Sequence, residues 1–136
     1  MNGHLAKKAV EISRAAGHCF VATVSADGVP HLTVASKLDF DPADDLVVTE
    51  WFCPETMENL NAGNRQVSVV AWDPAKNNGF QLTGLLKEEE DLEVLDGLPS
   101  GLAAEENIPQ VRRSLKVRVD RILEFKSGPH SDIEPF

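Results

Sequence analysis

In this 136-residue sequence, the side chains with the chemistry to hold a metal or attack a substrate are His18 and His31, Cys19 and Cys53, Lys37, and the acid run Glu88-Glu89-Glu90-Asp91. None of them has the spacing that such work needs. Lone histidines at strand positions read as locally hydrogen-bonded groups rather than ligands. The two cysteines have neither close spacing nor a small scaffold to staple, so they read as reduced, packed thiols. Four consecutive carboxylates on an extended chain cannot converge on one ion, because alternate side chains point to opposite faces; the run reads as a solvated strand end. By composition alone Lys37 is a surface lysine at the end of a strand. There is no G-x-G-x-x-G loop, P-loop, nucleophile elbow or C-x-x-C pair. No metal site is expected.

The elements that would position these residues are legible from turn chemistry. Phe20 to Ser25 is rich in β-branched residues and runs into Asp27-Gly28, a pair suited to the positive φ angles of a hairpin turn. Pro30 to Lys37 is expected to return beside it as one strand, with Pro30 at its start, where a missing N–H is tolerated. Asp41 to Asp45 breaks the chain and Leu46 to Trp51 resumes a third strand. Pro54 suits a first helical position and Glu55 and Glu58 complement a helix N-terminus, so a two-turn helix is expected up to a Gly63 cap. Gln66 to Trp72 alternates imperfectly, as a strand covered on both faces does. Phe80 to Lys87 is a further strand with a glycine that marks a bend. A loop-rich segment follows from Gly97 to Pro109, and Leu115 to Phe125 alternates strongly and closes the sheet. Ahead of all this, Leu5, Ala9, Ile12 and Ala16 form one helical stripe over residues 4–16. The tail, 126–136, reads as irregular.

The expected fold is therefore mainly β. It is a six-stranded antiparallel split β-barrel with Greek-key-like connections and accessory helices, a single domain over residues 1–136 with its barrel at about 18–125. A chain of this length buries enough surface for one core. Its 42% hydrophobic and 26% charged composition is that of an ordinary globular protein. The formal charge of −9 argues against a nucleic-acid partner, since phosphate backbones recruit an excess of Lys and Arg. No apolar run approaches the length that spans a bilayer and no signal-peptide core is legible, so a cytoplasmic location without membrane association is expected.

Phe20-Val21-Ala22-Thr23-Val24 with Gly28-Val29-Pro30-His31, then Asp44-Asp45-Leu46-Val47-Val48, Thr56-Met57-Glu58-Asn59-Leu60, Val67-Ser68-Val69-Val70 and Gln81-Leu82-Thr83-Gly84 follow one another in a telling order. This order resembles the pyridoxamine 5'-phosphate oxidase-like family of FMN-binding split barrels, over roughly residues 5 to 126. The resemblance implies a homodimer with two FMN sites at the subunit interface and a small-molecule redox substrate. It places Ala35, Ser36 and Lys37 beside the isoalloxazine, and Thr49, Glu50 and Trp51 as the next wall. Thr56 and Asn59 fall on the phosphate-binding helix, and Gln81 falls at a ring edge. Exposed N–H groups at a helix start, a hydroxyl and a nearby ammonium are together able to hold a phosphate. The sequence departs from the family where basic residues commonly head that helix: here Glu55-Thr56-Met57 stands, leaving Lys37, Arg65, or Arg112 and Arg113 contributed by a second copy of the chain, to compensate. The tail also lacks an Arg-x-His pair for a second phosphate, so the chain is not expected to be a true pyridoxamine phosphate oxidase. An FMN-dependent oxidoreductase is the first expectation, and a non-catalytic module that stores or senses a flavin or related cofactor is the second.

Overall fold

A computed structural model describes residues 3–41, 45–51, 53–94, 111–129 and 131–135. It contains helix α1 (Gly3–Ala16), strands β1 (Cys19–Val24), β2 (Pro30–Ala35), β3 (Lys37–Phe40) and β4 (Leu46–Trp51), helix α2 (Pro54–Asn61), and strands β5 (Gln66–Asp73), β6 (Asn78–Val94) and β7 (Val111–Glu124). All pairings are antiparallel, and the seven strands form one curled sheet in the order β2-β1-β5-β6-β7-β4-β3. The loop-rich segment expected at 97–109 lies outside the described residues.

The expected second strand is two strands, which gives seven described strands rather than six. Up to Ala35 it pairs with β1, and from Lys37 it pairs with β4. At the switch, the Ser36 backbone N–H and its hydroxyl both donate to the Thr49 carbonyl, at 3.1 and 3.0 Å. The two edges of the sheet are thus consecutive in the chain, and Ser36 is the corner where the strand changes partner.

The second departure is the acid run. β6 continues through Glu88-Glu89-Glu90-Asp91 to Val94 because β7 presents cations in register: Glu88 is opposite Lys116 and Asp91 opposite Arg113. Lys116 Nζ lies 3.0 Å from Glu88 and 2.9 Å from Asp41, and these bonds hold its pKa well above the ordinary lysine value, Asp41 contributing most. Opposite charges directly across a ladder support the pairing that a row of carboxylates would otherwise oppose.

Inside the curl, Val21, Leu46, Val48, Val67, Val69, Leu82, Leu115 and Val117 are at most 1% exposed. Helix α1 covers this interior with Ala6, Ala9, Val10 and Ser13, while Leu5 and Ile12 pack at its edge. The buried stripe is therefore rotated from the expected one, and Ala16 is exposed. Small residues line the contact, so the helix backbone can approach β5 and β3 closely.

Candidate functional site

The outer face of the β2-β1-β5 half carries apolar side chains where an isolated domain would carry polar ones. Register aligns Val34, Phe20, Val70 and Gln81 in one row across β2, β1, β5 and β6. Val29, Leu32 and Val34 are 61, 61 and 59% exposed. Beside them lies a hollow of about 480 Å³ walled by Phe20, Leu32, Val70, Trp72 and Phe125, with Lys126 and Ser127 at its rim. Trp72 packs edge-on against Phe125, with ring centroids 5.9 Å apart. In the same outward layer Gln81 Nε2 donates to Ser68 Oγ at 3.2 Å, and Ser68 shares a 2.7 Å hydrogen bond with Thr83. That arrangement holds the Gln81 amide in place through its Nε2.

The Ser36 corner forms the second part. Lys37 is the register partner of Thr49, with its ammonium 3.3 Å from Asp39 and its side chain 65% exposed. Ser36, Lys37 and Thr49 are brought together at this corner. Ala35 is buried, so it would offer a ligand only its backbone. Helix α2 starts three residues beyond the end of β4, with Pro54 first, Glu55 in the opening turn, and Cys53 giving no side-chain cap. Thr56 is fully buried and its hydroxyl has no hydrogen-bond partner; Asn59, also buried, donates through Nδ2 to Thr23 Oγ1 at 3.0 Å. Both therefore look into the barrel rather than out of the helix head. The side chain of Trp51 lies outside the described residues.

Glu50 needs its own account. It is 1% exposed, on the inward side of β4 with Leu46 and Val48, and neither carboxylate oxygen has a hydrogen-bond partner. Desolvation pushes its pKa up to about 7, and the Arg113 guanidinium pulls it only part of the way back. Its charge also reaches two thiols. Burial above all, with Glu50 adding to it, drives Cys19 up to about 12 against a hydrogen bond from Ser13, and Cys53 moves upward for the same two reasons. Neither cysteine is in a disulfide, and neither thiol is activated as a nucleophile. His18 hydrogen-bonds the Ala16 carbonyl at 3.2 Å and meets Phe20 edge-on. Among the described residues, no group of three His, Cys, Asp or Glu is arranged to hold a metal ion.

A sequence profile described as pyridoxamine 5'-phosphate oxidase matches residues 5–126. The chain belongs to that family. No match is found among curated protein sequences. Solved structures with the family's fold include HupZ of Group A Streptococcus, at 17% identity and a TM-score of 0.62, covering 93% of this chain and 96% of that one. An FMN-binding protein from Syntrophomonas wolfei aligns at 17% identity and a TM-score of 0.60, over 89% of this chain and 86% of its own. HutZ, a heme storage protein from Vibrio cholerae, aligns at 14% and 0.55, over 90% and 94%. At such identities the likeness is one of fold, and the mainly β split barrel is common to all three.

Sequence reading named Ser36 and Gln81 as candidates but not the walls of the hollow. Phe20, Leu32, Val34 and Val70 carry a usable signal: each is an apolar residue at an outward strand position, where a solvated sheet alternates to polar. Phe125 and Lys126 carry none, because they line the hollow only through the path of the chain after β7. Among the described residues no helix is long and apolar enough to cross a membrane.

Proposed function

We propose that the protein is a homodimeric flavoprotein oxidoreductase that holds FMN in the seam between two copies and acts on a small-molecule substrate. The observation that carries this reading is the apolar outer face, with Val29, Leu32 and Val34 each about three-fifths exposed beside a hollow of ring-sized volume. An exposed aliphatic row of this kind on a short strand is a partner surface rather than a solvent surface.

The ring end of the cofactor fits what the chain offers. Phe20, Val34 and Val70 would exclude water from one face, and Gln81, oriented by Ser68, would accept a hydrogen bond from a ring-edge N–H. Main-chain groups around Ser36 and Thr49 would set the ring's position along the corner. When bound, the isoalloxazine supplies the electron transfer that no side chain here can provide, which accounts for a site without an acid-base pair. The phosphate end fits less well, since Glu55 occupies the first turn of α2 and the Thr56 hydroxyl is turned inward.

The test is the visible spectrum and solution mass of the purified protein, followed by addition of a reduced nicotinamide. A yellow dimer whose flavin bands bleach supports the proposal; a colourless monomer that ignores added FMN overturns it. Storage or sensing without turnover is the second reading, favoured by a hollow whose lining residues include no titratable group other than Lys126. Under that reading the colour persists when reductant is added, and a heme would show one intense Soret band in place of the two flavin bands. Val34→Asp places a carboxylate in the apolar row and should yield a folded monomer without bound flavin, read by light scattering and absorbance. A yellow dimer from that variant would remove the seam from consideration.

A further inference from the structure

Resting on the flavin reading above, we propose that Asn77, in the turn between β5 and β6, is a positioning residue for the ring: it clasps the C-terminal chain and so fixes the wall of the hollow made by Phe125, Lys126 and Ser127. These three residues line the hollow but belong to no strand. Their place depends on three attachments. Before the wall, Glu124 donates its N–H to the Ile133 carbonyl at 2.8 Å and accepts from the Asp132 N–H at 3.0 Å, while Arg121 lies 3.0 Å from Glu134. The tail thus returns along the end of β7, beyond the stretch Arg112–Val117 that pairs with β4. At the wall itself, the Phe125 N–H donates to the Gly79 carbonyl at 3.0 Å. The third attachment is Asn77, whose Nδ2 donates to the Ser127 carbonyl at 2.7 Å and whose Oδ1 accepts from the Ser127 N–H at 2.8 Å.

A planar amide that donates and accepts at one residue's backbone fixes both distance and direction, which a single bond does not. Asn77 reaches this position with φ at 49°, a conformation that asparagine adopts more readily than most residues. Its bonds join segments 50 residues apart in the chain. The same hairpin supplies another wall, because Trp72 on β5 is the register partner of Gly79 and packs edge-on against Phe125. The β5–β6 hairpin therefore carries one wall of the hollow and the clasp that fixes the next. The grip on a flat ring depends on such spacing, since a gap of about 0.5–1 Å forfeits roughly a quarter to a half of the dispersion attraction at a contact. Both Asn77 bonds are exposed to solvent, so their net strength is modest. The clasp tunes how long a ring is retained and is not a main support of the fold.

The experiment follows riboflavin, which has the flavin ring and no phosphate, by stopped-flow fluorescence with separate association and dissociation rates. Asn77→Gly tolerates the positive φ and removes both bonds; riboflavin should leave about fivefold faster, the scale of one or two exposed hydrogen bonds, while its association rate stays the same. Asn77→Asp keeps the acceptor but sets an oxygen against the Ser127 carbonyl, so release should be at least as fast as from the glycine variant. Glu134→Gln loosens the tail beyond the wall without touching the clasp and should leave both rates unchanged. Unchanged dissociation from Asn77→Gly overturns the assignment, as does equal acceleration by Glu134→Gln. Loss of binding in both Asn77 variants together with a collapse of their thermal midpoints would make Asn77 structural and equally overturns it. In any of these cases riboflavin binding by the wild-type protein leaves the flavin reading standing; if the wild-type protein binds no riboflavin and no FMN, that reading fails and this assignment with it.

Discussion

Gly84→Ala should be among the most damaging single substitutions in the chain. A methyl group at Gly84 would overlap the carbonyl oxygen of Arg118 and come within 2.7 Å of its carbonyl carbon and 2.9 Å of Val119 Cα. All three are backbone atoms, so no side-chain rotation relieves the clash. The residue sits at an irregularity in the β6–β7 ladder, where the register shifts between Thr83 and Gly84. Such a bulge bends a strand and lets a sheet curl, and here a close backbone approach rather than a positive φ requires the glycine. The expected cost is about 3 kcal/mol or more, a large share of the stability of a single domain. Thermal unfolding followed by circular dichroism should show a midpoint lower by roughly 10 °C or more. A shift of a degree or two would mean that the ladder is far softer than its geometry. The effect would reach the candidate site, because Gln81 and Thr83 lie on β6 immediately before the bend.

Glu50→Gln should act in the opposite direction, and its effect should depend on pH. The folded-state pKa of Glu50 is about 7 against an ordinary 4.5, with burial as the main cause. Below pH 4.5 the carboxyl is protonated in both the folded and unfolded chains, and stability carries no penalty from it. Between 4.5 and 7 the unfolded chain releases the proton while the folded chain keeps it, so stability falls as the pH rises. Above 7 the loss levels off, at about 3 kcal/mol for a displacement of this size. Glutamine has no proton to lose. The difference in stability between pH 4.5 and pH 8, measured by urea unfolding at each pH, should therefore shrink by about 3 kcal/mol in the variant. At pH 8 the gain will be smaller, about 1 to 2 kcal/mol, since a buried amide also lacks partners. An unchanged pH slope would show that the folded protein hydrates or pairs Glu50. The position has a further consequence for the site: Glu50 lies between Thr49 and Trp51 on β4, so its ionisation loads the strand that lines the Ser36 corner.

Much of the architecture was open to sequence reading because it depends on local chemistry. Asp27-Gly28 lies in the first turn, with Gly28 at φ 83°, but the loop is one residue longer than a two-residue Asp-Gly hairpin: the Ser25 N–H donates to the Val29 carbonyl and Val24 pairs with Pro30 along β1. Pro54 opens α2, and the chain beyond Lys126 lacks regular structure among the described residues. Where the reading erred, a distant partner had overruled a local pattern. The acid run looked like a strand end until Lys116 and Arg113 stood across from it. Pro30 to Lys37 looked like one strand because nothing local marks Ser36 as the place where pairing passes from β1 to β4.

The amino-acid order by itself determined the class of fold, the family, the helix that follows the third expected strand and the want of a cation at that helix's head. These follow from turn residues, side-chain periodicity and charge, which act over a few positions. Only the tertiary structure decided that Glu50 points inward, that Arg113 is engaged with Glu89, and that Phe20, Leu32, Val70 and Trp72 meet around one hollow. Which face a strand residue takes reverses with a shift of one position in register, and register here is set by pairings such as β4 with β7 that join segments far apart in the chain.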